Sequence, residues 1–425
     1  MTIFLPACLP QELSETLQIS LPEARKIHAS VQREDFGQVV LQDVRRVTLE
    51  RVRERCTIPT LRLVAERKSL LDPFLKYALE TSDGHILESV RIPLEKVGRF
   101  SVCVSSQVGC ALGCRFCATG RMGLTRNLEV WEIVEQVRTV RRHLSAGRVH
   151  GVVFQGMGEP MANLDRVLAA IAVLNEPCGL AIDARNITVC TSGLPQGIRR
   201  LAREAPKVRL GLSIGSVRQS VRESIMPIAQ THPFEDVIDA VAEHAITTGL
   251  SPLWAVTPLQ GVNDSFEDGA ALGAQARAFW ERTSVRPRIS VIPYNAIAEE
   301  GDPFVRCDDA RHAEFVRGIG STGYRVHFRY SGGGDVGAAC GQLAARCWAA
   351  VNPDADRAAM LGACARGDHA LARRIAQRVL ASAADPAQIV EARRMLRLTE
   401  PDSFLAVVGA LGLGLIVWLV YNYVW

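Results

Sequence analysis

The sequence predicts an α/β protein, an open or partial (β/α) barrel with a small N-terminal helical/β domain before it and a helical tail behind it. Three observations carry this prediction. Between about 100 and 345, short β-branched runs alternate with longer amphipathic stretches, the pattern of repeated βα units and a parallel sheet. Before that region the chain reads as helices followed by a hairpin. After it the chain turns Ala- and Arg-rich and loses its β signal.

The expected barrel strands lie near Phe100–Ser105, Gly151–Gln155, Asn186–Cys190, Val208–Ser213, Leu253–Thr257, Ile289–Pro293 and Tyr324–Phe328. Helical stretches such as Val130–His143 and Phe234–Thr248 separate most of them. So many units suit a partial barrel better than a small doubly wound sheet, and barrel chemistry gathers on the loops after strand C-termini. In the N-terminal part, Leu13–Arg33 has helical periodicity, and Asp83-Gly84 between Phe74–Leu79 and Ile86–Ile92 signals a hairpin. The stretch Asp43–Arg55 carries Arg45, Arg46, Arg51, Arg53 and Arg55. It reads either as a solvated helix face or as a surface for RNA phosphates.

These limits divide the chain into an N-terminal accessory domain (1–95), a barrel core (96–347), a helical extension (348–400) and a terminal segment (401–425). The last 23 residues, Ser403 to Trp425, hold no Asp, Glu, Lys or Arg. A helix of that length would span roughly 30 Å of hydrocarbon. Trp418, Tyr421, Tyr423 and Trp425 crowd its far end, and Arg393, Arg394 and Arg397 precede it. The expectation is a membrane anchor that keeps the preceding domains in the cytoplasm, with a hydrophobic helix docked on the protein as the alternative.

At 425 residues, with 48% hydrophobic residues, the chain can bury a substantial core. A net charge of +4 is compatible with an RNA partner without demanding one. Twelve cysteines in a chain without a recognisable secretory signal argue for metal or redox chemistry rather than a disulfide scaffold. Cys8, Cys178, Cys307 and Cys364 stand apart and read as small buried hydrophobes, and Cys347 reads as structural. His143, His150, His232, His244, His312 and His327 show no metal spacing.

Cys110, Cys114 and Cys117 are grouped otherwise, as Cx3Cx2C on a loop after a predicted strand. A four-iron cubane takes thiolates at its corners, and three of them leave one iron open. A zinc site would more naturally show a second CxxC or a Cys/His set of four. One βα unit later comes Gln155-Gly156-Met157-Gly158-Glu159-Pro160. Its glycines suit close approach of backbone to a ligand, and its carboxylate could hold an ammonium group.

With these motifs the chain resembles the RlmN/Cfr family of radical S-adenosylmethionine (SAM) adenine methyltransferases, and RlmN most closely. The resemblance runs from about residue 10 to 347. Its carriers are Cys103 through Gly120, Arg126-Asn127-Leu128, Gly156 through Pro160, Gly261-Val-Asn-Asp264 and Ala338-Ala-Cys340-Gly-Gln-Leu343. The resemblance implies a radical SAM barrel with one [4Fe-4S] cluster on Cys110, Cys114 and Cys117. It also implies two SAM molecules per turnover. One methylates Cys340, and the other yields the radical that activates the S-methyl group toward an adenine carbon. Glu88 matches the proposed base for the ring proton. Cys103 matches the thiol that attacks the Cys340 sulfur, forming a disulfide and releasing the RNA.

SAM contacts implied by the resemblance are Gly158, Glu159, Cys190, Ser192, Ser213, Ile214, Gly215 and Asn295. Two departures stand out: Cys190 where serine is usual, and Ser213-Ile214-Gly215 where Ser-Leu-His is usual. The implied partners are RNA (an adenine of 23S rRNA, and transfer RNA for some members), an electron donor for the cluster and a reductant for the disulfide. C2 of adenine is preferred as the target, with C8 open. A divergent radical SAM enzyme with a non-RNA acceptor, or a catalytically silent RNA-binding or membrane-tethering protein, are the alternatives.

Overall fold

A computed structural model describes residues 2–33, 43–297, 302–328, 332–338, 342 and 386–398, with isolated positions between 369 and 380. The chain forms two compact units, 1–345 and 346–425. The first unit opens with strand β1 (Ile3–Phe4) and helices α1 (Pro10–Leu17), α2 (Leu21–Arg33) and α3 (Arg46–Arg55), then strand β2 (Cys56–Thr57), which pairs parallel with β1. Leu5, Leu13, Leu17, Ile27, Val31 and Val52 form the core of this bundle. The single periodic stretch expected over 13–33 is two helices. Pro22 has no N–H to give to the preceding turn, and the chain reverses at Gln18, whose φ is +51°.

Next come strands β3 (Arg62–Lys68), β4 (Leu75–Glu80), β5 (Ile86–Pro93) and β6 (Arg99–Cys103). A small antiparallel hairpin of β7 (Gln107–Cys110) and β8 (Gly123–Asn127) frames the short helix α4 (Ala118–Arg121). The barrel then runs α5 (Val130–Arg142), β9 (Arg148–Phe154), α6 (Leu164–Asn175), β10 (Ile187–Thr191), α7 (Pro195–Glu204), β11 (Arg209–Ser213), α8 (Gln219–Ile225) and α9 (Phe234–Thr248). It ends with β12 (Leu253–Val256), α10 (Phe266–Thr283), β13 (Arg288–Val291), α11 (Asp309–Ser321) and β14 (Val326–Phe328). In the second unit α12 covers Pro386–Leu398.

One ten-stranded sheet has the order β14-β13-β12-β11-β10-β9-β6-β5-β4-β3. From β6 to β14 all neighbours are parallel, while β3, β4 and β5 join antiparallel. The sheet stays open, and its parallel part is the predicted partial barrel. Val152, Phe154, Val189, Leu210, Leu212, Trp254, Ile289 and Val291 pack from the strands against Ile171, Ile198, Val237, Val241, Phe279 and Phe315 of the helices. This run of buried β-branched and aromatic residues is what a sheet covered by helices requires.

The hairpin expected around Asp83-Gly84 is β4–β5, but it is not a separate layer. It extends the barrel sheet through β5–β6 pairing, so the division expected near 95 falls inside one continuous sheet. Strand β3 was not anticipated. It lies at the sheet edge, alternately exposed and half-buried, so its Arg-Leu-Val-Ala-Glu-Arg-Lys sequence never shows a fully apolar face. The anchor expected over 401–425 lies outside the described residues. Among the described residues no helix is long and apolar enough to cross a membrane.

Candidate active site

The C-terminal ends of β9 to β13 open onto one cavity. Its lining includes Cys110, Cys114, Phe116 and Cys117 from the cysteine loop, and Gly156, Gly158 and Glu159 after β9. Cys190, Thr191 and Ser192 come from the end of β10, Ser213 and Gly215 from β11, Thr257 from β12, and Ile292 and Tyr294 from β13. Five strand ends converge here because each βα unit delivers its loop to the same rim.

The serines and glutamine between Cys103 and Cys110 fasten the cysteine loop to the glycine-rich loop. Ser105 Oγ accepts from Met157 N at 3.0 Å and donates to the Glu88 carbonyl at 2.7 Å. Ser106 N donates to the Met157 carbonyl at 2.8 Å. Gln107 Oε1 accepts from Glu159 N at 2.8 Å, while its Nε2 donates to Asn127 Oδ1 at 2.8 Å. Gly158 is forced by this arrangement. Its φ is +97°, and a Cβ there would stand 2.5 Å from the Gln107 side chain.

Glu159 is buried, and both carboxylate oxygens face backbone donors: Oε1 accepts from Met161 N at 3.0 Å and Oε2 from Ser192 N at 2.9 Å. Burial raises its pKa, and those N–H groups oppose the rise. A carboxylate held this way at the cavity wall retains lone pairs for an incoming ammonium.

The cysteines behave as a group. Burial pushes the Cys110 thiol up to about 12 and raises Cys114 and Cys117 as well; for Cys114 the neighbouring Cys117 and Cys110 add to the rise. Three thiolates gathered at one cavity would repel one another, so the set becomes favourable as thiolates only with a bound positive centre. Among the described residues no three His, Cys, Asp or Glu side chains are gathered tightly enough for one metal ion. Three thiols lining one cavity match in number the three protein corners of a cluster with one open iron.

The departures from the family pattern have local causes. Gly215 adopts φ +70°, and a Cβ would meet Met226 Sδ at 2.5 Å, so a larger residue strains the backbone of this turn and displaces the Met226 side chain. Cys190 is buried with its Sγ over Gly211, its register partner on β11, so the thiol also packs against the sheet.

Two expected SAM contacts do not line the cavity. Ile214 is 1% exposed and points into the main core, the opposite side of the strand end from Ser213. Asn295 Nδ2 turns back to the Pro293 carbonyl at 3.3 Å, and Tyr294 takes the wall position instead. Thr257 and Ile292 were also missed. Their signal is positional, since both stand at the C-terminal end of a predicted strand and directly follow the observed one.

Arg222 was missed altogether. This fully buried guanidinium donates to the carbonyls of Ile214 at 3.1 Å, Ser192 at 2.6 Å and His232 at 3.3 Å, which ties two cavity loops together. Burial brings its pKa down to about 10.

Glu88 and Cys103 lie beside the cavity. Cys103 ends β6 and belongs to an apolar cluster with Phe74, Val90, Val153, Met157, Cys190 and Ala338. Val90 is its register partner on β5, and Glu88, two residues earlier, shares that face. Cys340 lies outside the described residues, although Ala338, two positions before it, packs in the Cys103 cluster.

Most of the arginines proposed for RNA are engaged with the protein. Arg45 grips Glu23 at 2.8 and 3.0 Å and holds its carboxyl well below the usual range. Arg51 and Arg55 donate to the carbonyls of Gln18 at 3.0 Å and Thr16 at 3.2 Å, at the C-terminal end of α1, and Arg46 pairs with Glu50. Arg53 alone of the five has no polar partner among the described residues.

Comparison with known proteins agrees with this geometry. Residues 104–259 match the family model of the Radical SAM superfamily. A "Probable RNA methyltransferase sce3898" from Sorangium cellulosum is 54% identical over 372 residues, covering 82% of this chain and 94% of that protein. The "Dual-specificity RNA methyltransferase RlmN" of Syntrophobacter fumaroxidans is 39% identical over 66% of this chain and 80% of its own length. The crystal structure of a radical SAM methyltransferase from Sphaerobacter thermophilus superposes with a TM-score of 0.72 at 32% identity, over 81% of this chain and 99% of that one.

Proposed function

Because this chain belongs to the RlmN/Cfr family of radical SAM RNA methyltransferases, and so uses SAM and a [4Fe-4S] cluster, we propose that it methylates C2 of an adenine in 23S rRNA and in transfer RNA through a methylated Cys340. The observation that carries this reading is the shared cluster of Cys103 and Ala338 at the edge of the cysteine-lined cavity. It brings the segment leading to Cys340 beside the thiol that must resolve it.

In this reading Cys110, Cys114 and Cys117 hold the cluster, which supplies a carbon-centred radical from SAM when loaded. Glu159 receives the SAM ammonium, and Gly158, Cys190, Ser192, Ser213 and Gly215 shape the wall around it. The Cys340 thiolate takes a methyl group by displacement from a first SAM. Hydrogen abstraction from that methyl lets its carbon bond to C2, an electron-poor position that SAM cannot methylate directly. Glu88 accepts the ring proton. The unpaired electron left on the adduct would return to the cluster, the Cys103 thiolate attacks the Cys340 sulfur as the carbon–sulfur bond breaks toward the base, whose CH2 takes up a proton to become the methyl group, and two electrons from an external dithiol reopen the disulfide. The target base must leave its stack to reach these groups.

The test is anaerobic reconstitution with SAM, followed by peptide mass spectrometry of Cys340 and nucleoside analysis of treated 23S rRNA. The expected result is a methyl group on Cys340 and 2-methyladenosine in the RNA. 8-Methyladenosine would move the assignment to C8. An unmethylated Cys340 in the cluster-loaded, SAM-saturated protein would leave a radical SAM enzyme with another acceptor.

A further inference from the structure

On the face of the sheet that carries Cys103, one buried cation is unexplained by the roles above. Lys76 on β4 is 1% exposed and Glu88 on β5 is 0% exposed. Lys76 Nζ lies 3.0 Å from Glu88 Oε1 and also donates to the Gly337 carbonyl at 3.0 Å. Register explains the first contact. Lys76 pairs with Val90, Glu88 pairs with Ala78, and so Lys76 and Glu88 are diagonal neighbours on one face.

The second contact belongs to a docked segment. Gly333 N donates to Asp72 Oδ2 at 2.8 Å, and a Cβ at Gly332 would stand 2.4 Å from the Phe74 ring. Residues 332–338 therefore lie against the start of β4, and Ala338 continues into the Cys103 cluster. A buried ion pair is a weak source of stability, since apolar residues of the same volume often serve as well. What this pair does supply is a fixed link between two chain segments 261 residues apart.

We propose that Lys76 is a positioning residue of the methyl transfer, its ammonium joining the Glu88 carboxylate to the Gly337 carbonyl and so setting the proton acceptor against the segment that leads to Cys340. The inference rests on the reading of Glu88 as that acceptor. The ammonium, 3.0 Å from Oε1, fixes where the Glu88 carboxylate sits when the proton arrives. Lys76 touches no substrate and acts through Glu88.

The experiment uses the full-length, cluster-loaded enzyme with transcribed 23S rRNA. Three quantities are read: methyl on Cys340, methyladenosine formed, and protein covalently trapped on RNA. Lys76→Met, Glu88→Gln and the Lys76→Met/Glu88→Gln double variant are compared with the parent. Lys76→Met is expected to keep Cys340 methylation within about twofold, to form at least about tenfold less methyladenosine, and to accumulate the protein–RNA species as Glu88→Gln does. The double variant removes both charges together and so guards against misfolding by one unpaired ion. It is expected to match Glu88→Gln within about twofold. Parent-like turnover of Lys76→Met while Glu88→Gln is trapped overturns the positioning role alone, as does a double variant whose losses multiply. Parent-like turnover of Glu88→Gln overturns the acceptor reading and the inference with it.

Discussion

The cysteine-lined cavity and the arginine-rich helix α3 were both conspicuous in the sequence, and the fold treats them in opposite ways. At the cavity, Cys114 is buried and Cys110 and Cys117 are half-buried around a shared space, and Glu159 projects a carboxylate at its wall. These groups are costly where they stand and make sense only toward a ligand. On α3 and at its N-cap, Arg45, Arg46, Arg51 and Arg55 have already found carboxylates or helix-end carbonyls in the protein itself. The cavity was signalled by spacing, the helix only by composition. Spacing fixes geometry, whereas an excess of one charge can be absorbed by neighbours.

Removing a cavity thiol should therefore have the largest effect. Cys114→Ala is expected to abolish the iron–sulfur absorbance of the reconstituted protein and lower methylation by more than about a thousandfold, while the far-UV spectrum is unchanged. Retention of a stoichiometric cluster would break the contrast. Glu159→Gln comes next. It keeps the shape but turns one acceptor into a donor facing Met161 N or Ser192 N, and it loses the charge opposite the SAM ammonium. A charge-assisted hydrogen bond contributes about 1.5–3 kcal/mol, so SAM binding measured by calorimetry on the loaded enzyme should weaken roughly 10- to 100-fold.

The same distinction governs what the sequence made legible. Each predicted barrel strand is present within a few residues, because a buried parallel strand is a nearly unbroken apolar run and the turns around it are polar. Strand β3 was invisible because an edge strand is half solvated. Cys110, Cys114, Cys117, Gly158 and Glu159 were readable because each stands in a short motif with its own spacing, and both motifs line the cavity. The side chains of Ile214 and Asn295 fall away from the cavity for a reason of the same kind: a strand end fixes the backbone, but the pleat decides which of two successive side chains faces in. Arg222 had no signal, since its three partners are carbonyls on loops distant in sequence.

His244 sharpens the contrast from the side of stability. It is 0% exposed on α9, neither ring nitrogen has a hydrogen-bond partner among the described residues, and burial brings its pKa down to about 4. A histidine with a depressed folded pKa contributes its full share of stability above the unfolded value of about 6.5, and that share is lost as pH falls toward 4. At pH 5 the loss is about 2 kcal/mol. Urea unfolding of the parent and of His244→Leu at pH 8 and pH 5 should show the parent losing about that much more than the variant. Equal losses would mean that the ring finds a proton-stabilising partner in solution.

The smallest effects separate the arginines of α3 from one another. Arg51→Ala deletes contacts to the C-terminal carbonyls of α1 and should cost about 0.5–1 kcal/mol of stability, with the salt dependence of RNA binding unchanged. Arg53→Ala removes a side chain with no partner among the described residues. It should leave the unfolding midpoint alone and, where α3 meets a phosphate, lower the slope of log affinity against log salt by about 0.7–0.9. The two substitutions lie two positions apart on one helix and remove the same charge, so net electrostatics cannot explain a difference between them. If both change the slope equally and neither changes stability, the arginines of α3 act as a diffuse positive field, and their hydrogen bonds to α1 do not hold the bundle together.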